Sequence, residues 1–151
     1  MKKFGFLLFS ICLSVIAGAV VPHRAKFPDI PGYQTLKADF HIHTVFSDDT
    51  TWPTVRVDEA DFDGLDVISI TDHMDARHQK LLLNGTFNKD KVDRNTSYEI
   101  AKAAAKKYGI IVIHGGELTR GKAIFPGHFN THFISDGNAV ADAAEVHDGK
   151  Y

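Results

Sequence analysis

Two histidines separated by a single residue, His41 and His43, lie in a segment whose alternating pattern is typical of a β-strand. Alternate side chains of a strand share a face, so Asp39 should lie with both imidazoles while Phe40 and Ile42 face the other way. The strand rise would place the two rings about 7 Å apart. Imidazole is a good ligand for zinc, manganese and iron, and a strand holds its ligands rigidly. The pattern therefore predicts half of a metal site.

Other residues of the types that bind metal ions follow later predicted strands. Asp48 lies just beyond the first strand, His73 follows an apolar run, and Glu117 follows another. The carboxyl ends of strands in an α/β barrel meet at one edge, which would bring these side chains together. A carboxylate can bridge two cations about 3.5 to 4 Å apart, and such a pair polarises a phosphoryl group and activates water. The arrangement is compatible with a site for more than one divalent cation.

The motifs resemble those of the PHP (polymerase and histidinol phosphatase) family, and the resemblance covers roughly residues 28 to 140. They are, in order, Asp39-x-His41-x-His43-Thr44-x-x-Ser47-Asp48, Thr71-Asp72-His73, Gly116-Glu117 and Gly127-His128-Phe129-Asn130. The chain is most similar to the secreted bacterial PHP phosphoesterases. These include a phosphodiesterase subgroup with the run Thr54-Val55-Arg56-Val57-Asp58-Glu59-Ala60 after the first motif.

The resemblance implies a ligand set and a chemistry. It implies two or three divalent cations, zinc or manganese with iron as an alternative, and gives Glu117 the bridging role. The catalytic residues would be Glu117, Asp48 and Arg120. Arg120 could clamp a phosphate through bidentate hydrogen bonds, or could be an ordinary surface arginine. The implied metal ligands are His41, His43, Asp48, His73, Glu117 and His128.

Three further acidic residues lie beside the implied ligands. Asp39 and Asp72 would either orient a ligand histidine by accepting its ring N–H or cap loop amides. Asp49 stands where the family usually has glycine, which changes the freedom of the loop to adopt positive φ and adds a carboxylate beside Asp48.

Several histidines have no assigned role. His128 matches the family ligand, whereas His132, on the same predicted strand face, stands where many relatives carry an apolar residue. The role of His114 depends on whether its strand stays regular through two glycines. His78, in a long loop, could meet substrate or a further metal ion, or could be solvated. His23 and His147 are predicted surface residues.

The predicted elements alternate strands with helices. Pro53 and Gly64 bracket the first helix. The pattern Thr96-x-x-Glu99 predicts a capping box for the second helix, with Gly109 as its stop. The second helix is predicted to run to Tyr108, with an apolar face made of Ile100, Ala103, Ala104 and Tyr108. Predicted strands span residues 36–43, 65–71, 110–113 and 128–134, a loop spans 74–94, and a last helix spans 139–146.

This alternation predicts an α/β fold with a parallel sheet of βα units. The PHP resemblance implies part of a distorted (β/α)7 barrel, with about four βα units present. Residues 1–19 are predicted to be a signal peptide, 20–34 an irregular lead-in, and 35–151 the N-terminal part of a PHP domain.

The leader sets the expected location. Lys2 and Lys3 precede an apolar stretch that ends at Ala17-Gly18-Ala19, which predicts cleavage after Ala19 and a secreted or periplasmic protein without a stable membrane anchor. The only cysteine, Cys12, lies in the leader, so His and carboxylate groups must supply the ligands. The net charge of −2 does not favour an extended nucleic acid as partner.

The predicted function is that of a metal-dependent phosphoesterase that hydrolyses a small phosphomonoester or phosphodiester with metal-activated water. Family members complete the site with a late histidine, often followed by proline, and a final Asp-x-His, and no His-Pro or Asp-x-His follows His132. We therefore expect this chain to be a portion of a longer enzyme, and we expect the portion by itself to be catalytically poor. One alternative is a decayed, non-catalytic metal-binding domain. Another is an amidohydrolase-type barrel, which would need a bridging lysine where Glu117 fits better.

Overall fold

The computed structural model describes residues 24–74, 93–120 and 127–141. These residues form the strands β1 (Ala38–Ile42), β2 (Val67–Ile70), β3 (Ile111–Arg120) and β4 (Gly127–His132), and the helices α1 (Pro53–Asp63) and α2 (Thr96–Ala105). Residues 137–141 are also helical. The predicted leader, most of the 74–94 loop with His78, and the predicted helix beyond residue 141 lie outside the described residues.

The four strands form one curled sheet in the order β1-β2-β3-β4, a half-barrel that fits part of the predicted barrel. Strands β1, β2 and β3 are parallel, as predicted, whereas β4 runs antiparallel to β3. The expectation of a parallel fourth strand is therefore wrong. Only residues 121–126 separate β3 from β4, and a parallel crossover needs a dozen residues or more.

The first helix matches its sequence signals. Pro53 is at the start, where a missing N–H costs nothing, and Gly64 adopts a left-handed conformation with φ of 71°. The Gly64 N–H donates to the carbonyl of Asp61, which closes the helix. Val57 and Ala60 are buried in the same apolar cluster as Ile42, Ile68 and Ile70 of the sheet.

The predicted capping box of α2 is wrong. Thr96 is the first helical residue, and the N-cap residue Asn95 makes no side-chain cap hydrogen bond. The Asn95 side chain is used elsewhere: its oxygen accepts the Gly137 N–H at 2.7 Å, and its amide donates to Asp136 at 3.0 Å. A tertiary contact has displaced the local one.

A reciprocal pair of hydrogen bonds completes this contact. The Asn138 amide donates to Asp93 at 2.9 Å, and its oxygen accepts the Arg94 N–H at 3.0 Å. Two Asp-x-Asn segments, 93–95 and 136–138, are thus joined by hydrogen bonds in both directions. They join the start of α2 to the chain that follows β4.

The buried face of α2 also differs from the predicted one. Ser97, Ala101 and Ala105 are buried, and the helix ends at Ala105. Tyr108 lies beyond it, partly exposed, and donates its hydroxyl to Asp58 on α1 at 2.8 Å. Small side chains four residues apart let the helices approach closely, and Ala104 of the predicted face packs against the same core.

The helices cover one face of the sheet. The core there comprises Ile42, Val57, Ala60, Ile68, Ile70, Ala101 and Ala105. Alternation along β2 turns Ser69 to the other face. There the Ser69 side chain is hydrogen bonded to His132.

A register shift in β1 breaks the predicted alternation. Between Asp39 and Ile42 the pairing with β2 slips, as in a β-bulge. Ile42 joins the helix-side core, whereas the Phe40 ring lies 5.3 Å from that of His132, which bonds Ser69 on the opposite face. Phe40 and Ile42 therefore do not share a face, because the bulge inserts an extra residue between them.

Gly115 permits the close approach of three strands. A Cβ at this position would lie 2.6 Å from Ser69 Oγ and 2.8 Å from the Thr131 carbonyl oxygen, and the latter is main chain and cannot rotate away. Gly115→Ala should therefore lower the free energy of unfolding by about 1 to 3 kcal/mol, the usual cost of overpacking. Chemical denaturation would measure it.

The matched control is Gly127→Ala on the neighbouring strand. Its Cβ would meet only the Phe129 ring, at 3.3 Å, and that side chain can move. A Gly115→Ala protein as stable as the Gly127→Ala protein would contradict the packing described for β3.

Candidate metal centre

The predicted ligands converge where β1, β2 and β3 end and β4 begins. Nitrogen and carboxylate oxygen atoms lie within 4.8 Å of one another in each of three overlapping groups. The groups are His41, His43 and Glu117; His43, Asp48 and His73; and His73, Glu117 and His128. All six predicted ligands are thus brought together, and their binding of metal stays a prediction.

Glu117 lies at the centre with its carboxylate 2% exposed. Its Oε2 lies 2.8 Å from Nε2 of both His41 and His43, and these two nitrogens lie 3.0 Å apart. Its Oε1 contacts Nδ1 of His128 and lies 3.9 Å from Nδ1 of His73. Each carboxylate oxygen therefore faces a different pair of histidines.

The hydrogen bonding of His43 shows why a cation fits here. Its Nδ1 lies 2.6 Å from Asp48 Oδ1, and a carboxylate can only accept, so Nδ1 carries the ring proton. Nε2 of the neutral ring then offers a lone pair, yet it faces the Glu117 carboxylate. Two acceptors this close repel each other unless a positive charge lies between them. A second ring proton, or a divalent ion bound by nitrogen and oxygen, supplies that charge.

The pKa values reflect this crowding. Burial lowers the pKa of His43, but the hydrogen bond to Asp48 and the nearby carboxylates outweigh burial, so the pKa is raised. Burial raises the pKa of Glu117, yet hydrogen bonds from His41 and His128 and the charge of His73 lower it overall. Burial also raises the pKa of Asp48, but the hydrogen bond and the charge of His43 lower it overall. The carboxylates are therefore held ionised, as metal ligands must be.

Asp48 has one oxygen for each neighbour. While Oδ1 orients His43, Oδ2 lies 3.4 Å from His73 Nε2. On the other side of the His73 ring, Nδ1 lies 2.8 Å from the Thr119 hydroxyl. Thr119 was missed at the sequence level. Its position two residues after Glu117 on the same strand face was the available signal.

Asp72 caps a loop. It is 4% exposed and accepts hydrogen bonds from the Thr44 N–H, the Thr44 hydroxyl and the Ser47 hydroxyl at 2.6 to 2.7 Å. Asp39 accepts the His41 N–H at 2.9 Å. Of the two roles open to these acids, the bonds described are those of amide capping.

Two histidines without a predicted role, His114 and His132, make contacts away from Glu117. His114 stacks on Tyr98 of α2 with ring centroids 4.2 Å apart, on the helix side of the sheet. His132 is hydrogen bonded at 2.9 Å to Ser69, which lies within β2. Arg120 is the last residue of β3 and pairs with Gly127, and its role as a phosphate clamp stays a prediction.

Solved structures are similar to this chain. A two-domain protein from Bacteroides vulgatus, containing a predicted PHP-like metal-dependent phosphoesterase, is 46% identical with a TM-score of 0.66, over 80% of this chain and 33% of that one. A proposed metal-dependent phosphoesterase from Bifidobacterium adolescentis and an amidohydrolase from Chromobacterium violaceum are each 21% identical with TM-scores of 0.53. They cover 73% of this chain and 33% and 32% of their own, and show the fold alone.

Among curated proteins, an uncharacterized protein of Methanocaldococcus jannaschii is 41% identical over 86 residues, which are 56% of this chain and 34% of that protein. No protein-family model matches the chain. The chain therefore spans about a third of the length of these relatives. The resemblance to PHP-like proteins inferred from the motifs is confirmed by the Bacteroides structure.

Replacing Asp72 tests the loop described above. Asp72→Ala would leave buried donors of Thr44 and Ser47 without an acceptor, and should lower the free energy of unfolding by about 2 to 4 kcal/mol. Asp72→Asn keeps one oxygen acceptor and should cost less. Urea denaturation of the three proteins would give these values.

Asp63→Ala is the control, because Asp63 is an exposed aspartate at the end of α1 and its loss should change stability by less than about 0.5 kcal/mol. Equal stability of the Asp72→Ala and Asp63→Ala proteins would refute the capping role.

Proposed function

We propose that this chain carries the metal-binding half of a metal-dependent phosphoesterase site. The observation that carries the proposal is the Glu117 carboxylate, buried, with its two oxygens facing separate histidine pairs. A buried carboxylate is stable only with compensating positive charge, and histidine and carboxylate groups are suitable ligands for zinc or manganese. The relation to a predicted PHP-like phosphoesterase supports the same reading.

The proposed assignment gives each residue a task. His41 and His43 would hold one ion with Glu117, and His73 and His128 would hold a second on the other oxygen of Glu117. Asp48 would orient His43 and complete a third group with His73. Divalent cations bound here would polarise the phosphoryl group and activate water for hydrolysis. Two or three ions of zinc or manganese, with iron as the alternative, suit this donor set.

The proposed substrate is a small phosphate ester, either a monoester or a diester. Arg120 follows Glu117 closely on β3, and as a guanidinium it would bind phosphate oxygens in bidentate fashion. The small negative net charge does not favour an extended nucleic acid as partner.

We also propose export, on the strength of the leader alone. Within the described part of the chain, no helix combines the length and the apolar character that a membrane span requires.

Glu117→Gln tests the site. The amide keeps the size of the side chain but cannot bridge two cations, so the metal content after loading with zinc or manganese should fall. Hydrolysis of nitrophenyl phosphomonoesters and phosphodiesters, measured on the chain extended to the length of its relatives, should fall at least about 100-fold, more than most changes to outer residues cause. Elemental analysis and a colorimetric assay would measure both.

Glu99→Gln is the matched control, because Glu99 is an exposed carboxylate on α2. It should keep full metal content and rate. Normal metal content in Glu117→Gln would contradict the bridging role. Metal binding without hydrolysis of any ester, in a protein extended to the length of the relatives, would instead favour a non-catalytic metal-binding domain.

A further inference from the structure

A single arginine on α1 contacts both segments that carry the ligands of the β1 side. Arg56 donates from Nε to the His43 carbonyl at 3.0 Å. Its Nη2 pairs with Asp49, and its Nη1 donates to Glu59 at 2.8 Å. The side chain is 25% exposed. All three guanidinium nitrogens are therefore engaged, and two of them reach towards the candidate metal centre.

Asp49 organises the loop in which Asp48 lies. Its carboxylate accepts the main-chain N–H groups of Thr50 and Thr51 and also binds Arg56. The loop is closed by further main-chain bonds between its two ends. The charge of Asp49 is matched by that of Arg56, so Asp49 anchors the loop and is not an uncompensated carboxylate beside Asp48.

The consequence concerns the bond between two predicted ligands. His43 Nδ1 lies 2.6 Å from Asp48 Oδ1, a contact that requires the end of β1 and the loop to keep their relative position. Arg56 fixes the end of β1 through the His43 carbonyl, and it fixes the loop through Asp49. It does so from α1, whose residues Val57 and Ala60 are buried in the core.

We propose that Arg56 is a positioning residue that holds His43 and Asp48 in the geometry needed to bind metal. The inference rests on the proposed function, because it concerns the affinity of the same site. Arg56 acts through the two ligands and does not coordinate the ion. A planar guanidinium can serve three acceptors in fixed directions, whereas a lysine ammonium is a point charge on a flexible chain, so lysine should replace it only in part.

A simpler reading is that Arg56 only forms a helix-surface ion pair with Glu59, three residues further along α1. Such pairs contribute little and would not affect metal binding. Glu59→Gln removes that pair while leaving the bonds to His43 and Asp49. It therefore separates the two readings.

The experiment is a titration of the 151-residue chain with Co²⁺, whose absorption bands report both affinity and ligand geometry. Arg56→Ala should weaken Co²⁺ binding about 10- to 100-fold, the usual effect of losing a residue that orients ligands, and should shift the absorption bands. Arg56→Lys should fall in between. Glu59→Gln removes the ion pair with Arg56 and Lys107→Ala removes the exposed ion pair with Asp58, and both proteins should match the parent protein.

The outcomes separate the two levels of inference. If the parent protein binds no Co²⁺, the proposed function and this inference both fail. If it binds Co²⁺ and Arg56→Ala shows the same affinity and spectrum, only the role of Arg56 is overturned. If Arg56→Ala does not fold, Asp49→Asn decides. It keeps an acceptor for the loop amides but weakens the arginine contact, and an unchanged Co²⁺ affinity and spectrum would overturn the proposal.

Discussion

The burial of one carboxylate among four imidazoles is the constraint on which the rest of the structure depends. Glu117 is almost fully enclosed, and an ionised carboxylate taken out of water needs positive charge close to both oxygens. His41 and His43 lie against one oxygen, and His128 lies against the other. The lone pair that His43 must present to Glu117 makes a proton or a metal ion necessary at that point.

The main chain on both sides of Glu117 is fixed by hydrogen bonds to the segment that follows β2. The main-chain N–H of Glu117 donates to the Asp72 carbonyl at 3.1 Å, and the main-chain carbonyl of Glu117 accepts the Met74 N–H at 2.8 Å. The hydrogen bonding between β2 and β3 therefore continues past the end of β2. Gly116 leaves room for the Met74 side chain, since a Cβ there would lie 2.2 Å from Met74 Cε. Asp72 meanwhile caps the loop that leads to Asp48. The ligands are thus positioned by main-chain pairing and by buried acceptors.

Residue types and periodicity were enough to predict the four strands, the first helix and the convergence of five of the six predicted ligands, because these depend on local pattern and on strand order. The sixth ligand, His128, was predicted from the resemblance to PHP proteins alone. What they could not predict depends on contacts between distant segments. The β1 bulge reverses the expected face of Phe40, and the use of Asn95 by Gly137 displaces the predicted cap of α2. The direction of β4 follows from a connection too short for a crossover, a signal that was present in the sequence but overridden by the alternation of elements. The contact from Arg56 to the His43 carbonyl joins a helix to a strand end and has no sequence pattern at all.

The most direct measurement is anomalous X-ray diffraction from crystals of the zinc-loaded protein, collected on both sides of the zinc absorption edge. The account predicts zinc peaks about 2.0 to 2.2 Å from the carboxylate of Glu117, one shared with His41 and His43 and another beside His73 and His128. Zinc peaks confined to surface carboxylates, with Glu117 contacting only protonated histidines, would contradict it.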